Sequence, residues 1–387
     1  MPSYNDYSIR EYGEMIVDHR RTVSFVDALR SAIRPGSVVL DIGTGTGFFS
    51  YLACQFGAAR VYAVESDIAI EVGKICAKGI PGSERITWIH ELSTSIDLPE
   101  QVDVVVGDLH GVLPFFKGNI ESMADARNRH LKPGGAMIPA RDVLYAVPAH
   151  APDEYKCIES PWRNNDYGID LSPTAPYVFN HWWRAKPEPV PLEHLLSEAQ
   201  CWGEIDYSTD EIGHIDKHLV WEINRAAKLH GLYVWFDGDL GHGFGFSNAP
   251  QLPTLVYGRA FFPFEHATEV KLGDIVRTRL RVSMVKGRYE FRWDSSISNP
   301  DGSPKARFEQ STFKARLILP SDLRKANGDY VPALTLDGQV THAVLQAMRD
   351  GQCLQKIADS MFVRFPQRFK TAAAALDKVS LLSQKYG

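Results

Sequence analysis

Gly43, Gly45 and Gly47 alternate at the end of the run Val38–Gly47, VVLDIGTGTG, and Glu65 closes the next apolar run, RVYAVE, 18 residues beyond the last of them. An apolar strand that enters a glycine-rich turn and then a helix lets the backbone pass close to a ligand. The helix N-terminus adds unpaired amides. A carboxylate one βαβ step later can accept both hydroxyls of a ribose. Asp41 opens the turn, Thr44 lies inside it and Ser66 follows Glu65. The spacing departs from the G-x-G-x-x-G of dinucleotide folds, because the three glycines alternate. The chemistry implied is the binding of a nucleoside-bearing small molecule; a ligand-free βα turn is the alternative.

Two residues further along are placed for acid–base work. Asp108 follows the apolar run VDVVVG, at the C-terminal end of an expected parallel strand, where ligands sit in such sheets. His110, two residues on, has the side chain best suited to take a proton near neutral pH. A loop histidine that only packs is the alternative.

The elements that must position these residues alternate. Residues 6–33 read as a helix with one apolar stripe, Tyr12, Met15, Ile16, Phe25, Leu29 and Ile33. Strands at VVLDIG, RVYAVE, ITWIHE and VDVVVGDL are separated by helical runs, and a helix from about Phe115 to Leu131 ends at a Lys132-Pro133-Gly134-Gly135 turn. This is the rhythm of a doubly wound parallel sheet, an α/β Rossmann-like domain over residues 1–140. From 141 to 320 the chain changes to short β-like runs such as LYVWFDGDL and IVRTRLRVSMV, which predicts an antiparallel β-barrel. An aromatic, proline-rich arm at 168–191, with Tyr177, Phe179, Trp182 and Trp183, either packs on that barrel or forms an interface. Residues 333–387 read as three short helices of a helix-turn-helix or winged-helix-like unit.

Composition bounds the function class. The 387 residues suit two or three domains, and 44% apolar with 23% charged residues is ordinary for a globular protein. A net charge of −5 gives no bulk attraction to nucleic acid or to acidic membranes. The five cysteines are scattered without a C-x-x-C pair, so neither a disulfide frame nor a metal site is expected. With no signal-like N-terminus and no membrane-length apolar run, a cytoplasmic location is expected.

At this point the residues match a family. D-x-G-x-G-x-G at Asp41–Gly47 resembles the pattern of enzymes that bind S-adenosylmethionine. The ordered set from Tyr12 to about Trp293 resembles the protein arginine methyltransferases, a Rossmann-like domain followed by a β-barrel with a dimerisation arm. EMIVDHRRT matches the family's entry helix, LKPGGAMIPARDVLYAV its strand entry, and GLYVWFDGDL with FGFSNAPQLP its barrel pair. The resemblance implies S-adenosylmethionine as cofactor, held by Met15, Arg21, Asp41, Gly43, Thr44, Gly45, Gly47, Glu65, Ser66, Thr94 and Asp108. Arg21 would pair with the methionyl carboxylate, Met15 would lie near the sulfonium, and Thr94 would meet the adenine amino group. It also implies a homodimer through the 168–191 arm.

The chain departs from the family at the acceptor site. Family members grip the guanidinium bidentately with two glutamates nine residues apart; here the first is Asp108 and the second position holds Lys117. A lysine about 5 Å from a guanidinium would repel it by roughly 3 kcal/mol at an effective dielectric of 20. Glu121, one helical turn on, would neutralise Lys117 or stand in for the lost carboxylate. A solvated Lys117–Glu121 pair that touches no acceptor is equally open. The family's T-H-W loop reads Leu255-Val256-Tyr257, so the histidine expected beside a carboxylate is gone, and the aromatic N-terminal segment is reduced to Tyr4, Tyr7 and Tyr12.

Three functions follow. The first is a methyltransferase acting on a nitrogen or oxygen of a peptide or small metabolite, with Asp108, His110 and Glu121 as catalytic candidates. The second is an arginine N-methyltransferase. The third is a non-catalytic scaffold that binds S-adenosylmethionine and captures a peptide or DNA. The tail resembles the winged helices of pyrroloquinoline-quinone peptide chaperones, which implies capture of a leader peptide by strand addition. Its alanine-rich last helix makes nucleic acid the weaker partner.

Overall fold

The computed structural model describes residues 7–116, 118–163, 165–210 and 213–387, so the readings made for Tyr4 and Lys117 lie outside the described residues. The chain divides into two compact units, residues 1–316 and 317–387. The Rossmann-like domain and the barrel share the first.

That unit opens with α1 (Ile9–Val17) and α2 (His19–Ala32), then β1 (Val38–Ile42), α3 (Phe48–Gln55), β2 (Arg60–Val64), α4 (Ala69–Ala77), β3 (Ile86–Ile89), β4 (Val102–Val106), α5 (Asn119–Arg129) and β5 (Leu131–Ile138). The five strands form one parallel sheet in the order β3-β2-β1-β4-β5. Its strands are nearly continuous apolar runs because helices cover both faces. Strand order reverses between β1 and β4, and the turns leaving these two strands, Gly43–Gly47 and Gly107–Gly111, open the crevice where ligands bind in such sheets.

Three expectations about local structure are corrected. The helix read over 6–33 is broken at Asp18, which takes φ −70°, ψ 83° and whose carboxylate accepts the Val256 amide at 2.6 Å. α1 starts in a capping box, with Ser8 and Glu11 bonded to each other's backbone amides. The helix expected from Phe115 begins only at Asn119, because Gly118 sits at φ +80° and the loop before it buries Leu113 and Phe115. Lys132–Gly135 is a bulge inside β5 and no turn: Val102 faces Leu131 but Val104 faces Ala136, and Gly134 takes φ +76°.

The chain then crosses to the barrel through β6 (Arg141–Ala149), α6 (Pro152–Arg163), α7 (Ala175–Val178), β7 (Trp183–Arg184), β8 (Gln200–Asp206), β9 (Ile215–Glu222), β10 (Ala227–Gly241), β11 (Phe244–Ser247), β12 (Ala260–Val270), β13 (Ile275–Val285), β14 (Arg288–Ser298) and β15 (Pro304–Ser311). One antiparallel sheet runs β7-β12-β10-β6-β8, with β11 on β10, and the other runs β15-β14-β13-β9. They close on Trp202, Trp221, Phe262, Leu280 and Trp293, all buried. Full burial of an apolar side chain such as Phe262 or Leu280 contributes about 1.5–3 kcal/mol. In the arm, Phe179, Trp182 and Trp183 pack on the barrel, whereas Ile169, Leu171 and Tyr177 stay exposed.

The second unit contains α8 (Pro320–Lys325), α9 (Leu336–Arg349), α10 (Leu354–Arg364) and α11 (Ala372–Tyr386) around a separate core of Val340, Val344, Ile357, Met361 and Val379. Gly351 makes the turn between α9 and α10 at φ +72°. No strand occurs among its described residues, so the winged-helix expectation is corrected: this unit has no sheet edge of its own to receive a leader peptide. No helix among the described residues is long and apolar enough to cross a membrane. Because this core is separate, Ile357→Ala should remove about 2–5 kcal/mol from the second unit. Hydrogen exchange should show lost protection in α9–α11 and unchanged protection in β1 and β4.

Candidate functional site

One cavity of about 410 Å³ lies over the β1–β4 crevice, within the range of small-molecule sites. Ile42 and Gly43, at the start of the glycine turn, line it. Gly45 takes φ +55°, and a Cβ there would lie 2.4 Å from the Tyr12 ring; at Gly43, φ +68°, a Cβ would meet Leu109 at 2.6 Å. Both positions therefore require glycine. The amides of the turn itself are paired. Gly43 and Thr44 donate to the Val64 carbonyl, and Gly45 donates to Glu65 at 2.9 Å.

Asp41 organises this turn from below. It is buried, takes the Thr44 and Ser50 hydroxyls at 2.6 Å each, and does not line the cavity. Burial pushes its pKa up to about 6, against the pull of those two hydroxyls. Gly47 caps α3 at φ +87° and, like Thr44 and Gly45, lies behind the lining. Glu65 does face the cavity, beside Ser66. Its two oxygens accept the Gly45 and Asp67 amides at 2.9 Å, and burial raises its pKa while those amides oppose the rise. A carboxylate has about four acceptor positions, so two remain for ribose hydroxyls. At the end of β3 the lining is Glu91, Leu92 and Ser93. Thr94 is not part of it, and Glu91 supplies the acidic residue that the sequence reading missed.

The end of the cavity beside Asp108 is governed by buried charges. Asp108 accepts Arg21 Nε at 2.6 Å, a second Arg21 nitrogen, His110 Nδ1 at 2.9 Å and the Tyr257 hydroxyl at 2.8 Å. His110 Nε2 faces Asp142 at 2.9 Å, and Asp142 also takes the Tyr207 hydroxyl at 2.6 Å. The imidazole is fully buried and stacks on Phe236, with centroids 5.0 Å apart. Burial alone would lower the His110 pKa, but the Asp142 charge and the bonds to both carboxylates hold it up at about 10. Burial would raise Asp108, yet Arg21 and His110 hold it well below the usual carboxylate range.

Three candidate roles change as a result. His110 is an imidazolium between two carboxylates, so it is no base at neutral pH. Arg21 is the buried partner of Asp108, with further bonds to Tyr257 and the Met15 carbonyl, where the resemblance implied a cofactor carboxylate. Glu121 points away from the cavity and takes the Tyr289 hydroxyl of the barrel at 3.3 Å; its neighbour Ser122 lines the cavity instead. Tyr257 stands where the family's histidine was expected, and the histidine–carboxylate pair is rebuilt from His110. The other lining groups of note are Met15, Glu11 and Glu14 from the α1 segment, and Arg184 from β7.

In sequence, residues 17–140 match the family model of ribosomal protein L11 methyltransferase (PrmA). Over 246 residues the chain is 32% identical to protein arginine N-methyltransferase 6 of Danio rerio, covering 60% of this chain and 69% of that one. The chain belongs to the protein arginine N-methyltransferase family. A probable protein arginine N-methyltransferase 6 of Arabidopsis thaliana is 33% identical over 243 residues, 61% of this chain and 55% of that one. The chain thus spans little more than half of that relative. In fold it resembles the Trypanosoma brucei PRMT1 enzyme–prozyme complex, with a TM-score of 0.69, 20% identity and coverage of 80% of this chain and 98% of that one.

The buried network predicts a specific pH dependence. Its folded His110 pKa of about 10 lies above the usual 6.5. The stability it contributes is therefore complete below pH 6.5 and lost as pH rises through 10. Asp142→Ala should cost about 3–5 kcal/mol at pH 7.5 by leaving a buried cation short of a partner. In urea titrations the gap between wild type and variant should narrow above pH 10.

Proposed function

We propose that this chain is an S-adenosylmethionine-dependent methyltransferase whose acceptor is a guanidinium nitrogen of arginine. The observation that carries this reading is the cavity lining, which joins a ribose-binding carboxylate, Glu65, to an acceptor end bearing Glu11, Glu14 and Asp108. Family membership supports the same reading. The residues present fit S-adenosylmethionine: Gly43 on the lining has no room for a Cβ, Glu65 keeps acceptor capacity for a ribose, and Glu91 and Ser93 line the same cavity. When bound, the cofactor supplies a methyl group already activated by its sulfonium.

The chain's own work is placement and charge. Met15 and Leu109 line the same cavity. Arg21 and His110 hold Asp108 ionised, so it takes no proton from an acceptor. Holding two reactants aligned supplies much of the rate enhancement in such displacements. We further propose that the chain dimerises through the arm, where Ile169, Leu171 and Tyr177 are exposed.

A second reading, an N or O nucleophile of another peptide or small metabolite, is favoured by one observation. Arg21, His110 and Tyr257 already occupy Asp108, so it cannot offer both oxygens freely to a guanidinium. Labelled S-adenosylmethionine incubated with arginine, arginine peptides and matched lysine peptides separates the two. The arginine reading expects label on a guanidinium nitrogen by mass spectrometry; label on lysine or on an oxygen would select the second. Glu65→Ala should weaken S-adenosylmethionine binding about tenfold to a hundredfold by calorimetry, as expected for lost hydrogen bonds to a charged group.

A further inference from the structure

Arg184 is the feature of the cavity that a guanidinium acceptor leaves unexplained. A fixed cation lining a site for a cation repels that substrate unless an anion, carried by the substrate or by the cofactor, faces it. Arg184 is held in place with some care. Its backbone pairs with Ala260 of β12, and its side chain lies across Gly258, where a Cβ would fall 2.5 Å from Nε. Gly258 takes φ +73°, and Arg184 Nη2 donates to the Val256 carbonyl at 2.5 Å. The Nε and Nη1 donors have no hydrogen-bond partner among the described residues, and the side chain is solvent-accessible on the cavity wall. Tyr7 lies within electrostatic reach of both Arg184 and Asp108. The positive and negative ends of the acceptor region therefore flank one aromatic side chain.

We propose that Arg184 binds the α-carboxylate of the acceptor, so that the acceptor is arginine with a free carboxylate: the free amino acid or a C-terminal arginine. A carboxylate offers the planar pair of oxygens that a guanidinium fork fits, whereas an arginine inside a chain would present only a neutral peptide carbonyl there. Glu11 and Glu14 also line the cavity and favour the cationic groups of such a zwitterion. The inference rests on the arginine reading above.

Steady-state methyl transfer to arginine, argininamide and agmatine tests it, since the last two keep the guanidinium and lack the carboxylate. With the wild-type chain, kcat/KM for arginine should exceed that for either analogue about tenfold to a hundredfold, the range expected for hydrogen bonds between charged groups. Arg184→Ala should erase that preference, chiefly through KM for arginine, and Arg184→Lys should restore part of it. Calorimetric binding of S-adenosylmethionine by both variants checks that they are folded. Equal rates for arginine and agmatine, or a preference that survives Arg184→Ala, would overturn the carboxylate inference and leave the arginine reading standing. Transfer to lysine peptides with none to the three guanidinium compounds would overturn both.

Discussion

Two cations and two anions buried in alternation, Arg21, Asp108, His110 and Asp142, are the constraint on which the functional half of this molecule depends. Each of these ions alone would cost several kcal/mol to bury, and the alternation offsets that cost only while the geometry holds. The members come from α2, the loop after β4, and β6, with Tyr207 and Tyr257 donating from the barrel side. The series thus joins the parallel sheet to the barrel through its charges, alongside the shared apolar core. Breaking any link strands a charge in a site lined by Phe236 and Phe246.

This arrangement sets what the cavity can do. Asp108 is an anion of fixed position whose acceptor positions are largely taken, so it shapes the field and leaves proton removal to other groups. His110, which by residue type suggests a base, serves as a counter-ion. The cavity's character then comes from groups nearer its surface: Glu11 and Glu14 on α1, Glu65 and Glu91 beyond the parallel strands, and Arg184 on β7.

Much of this was legible in the sequence. The alternating glycines, the Asp41 opening and the distance to Glu65 are local features, and local features survive in a linear reading. The parallel sheet followed an unbroken series of apolar runs. What was not legible depended on partners distant in the chain. Nothing near His110 announces Asp142, 32 residues away, or that Tyr207 and Tyr257 would meet the same carboxylates. An acid inside the apolar strand RDVLYAVPA was the one available hint. The helix break at Asp18 was hidden likewise, because the Val256 amide that its carboxylate accepts lies 238 residues away. Glu91 could have been found from its place at the end of ITWIHE, by the same reasoning that found Glu65. The Lys-Pro-Gly-Gly signal misled because a bulge and a turn use the same residues.

The charge of His110 decides whether the alternating series exists. Nitrogen-15 NMR of the histidine side chains, with His110 assigned by comparison with His110→Gln, reads that charge through a titration from pH 6 to 11. Both ring nitrogens should be protonated at pH 8, with deprotonation centred near 10. A neutral ring at pH 8 that titrates near the ordinary value of 6.5 would contradict the alternating charge series and the role given to Asp108.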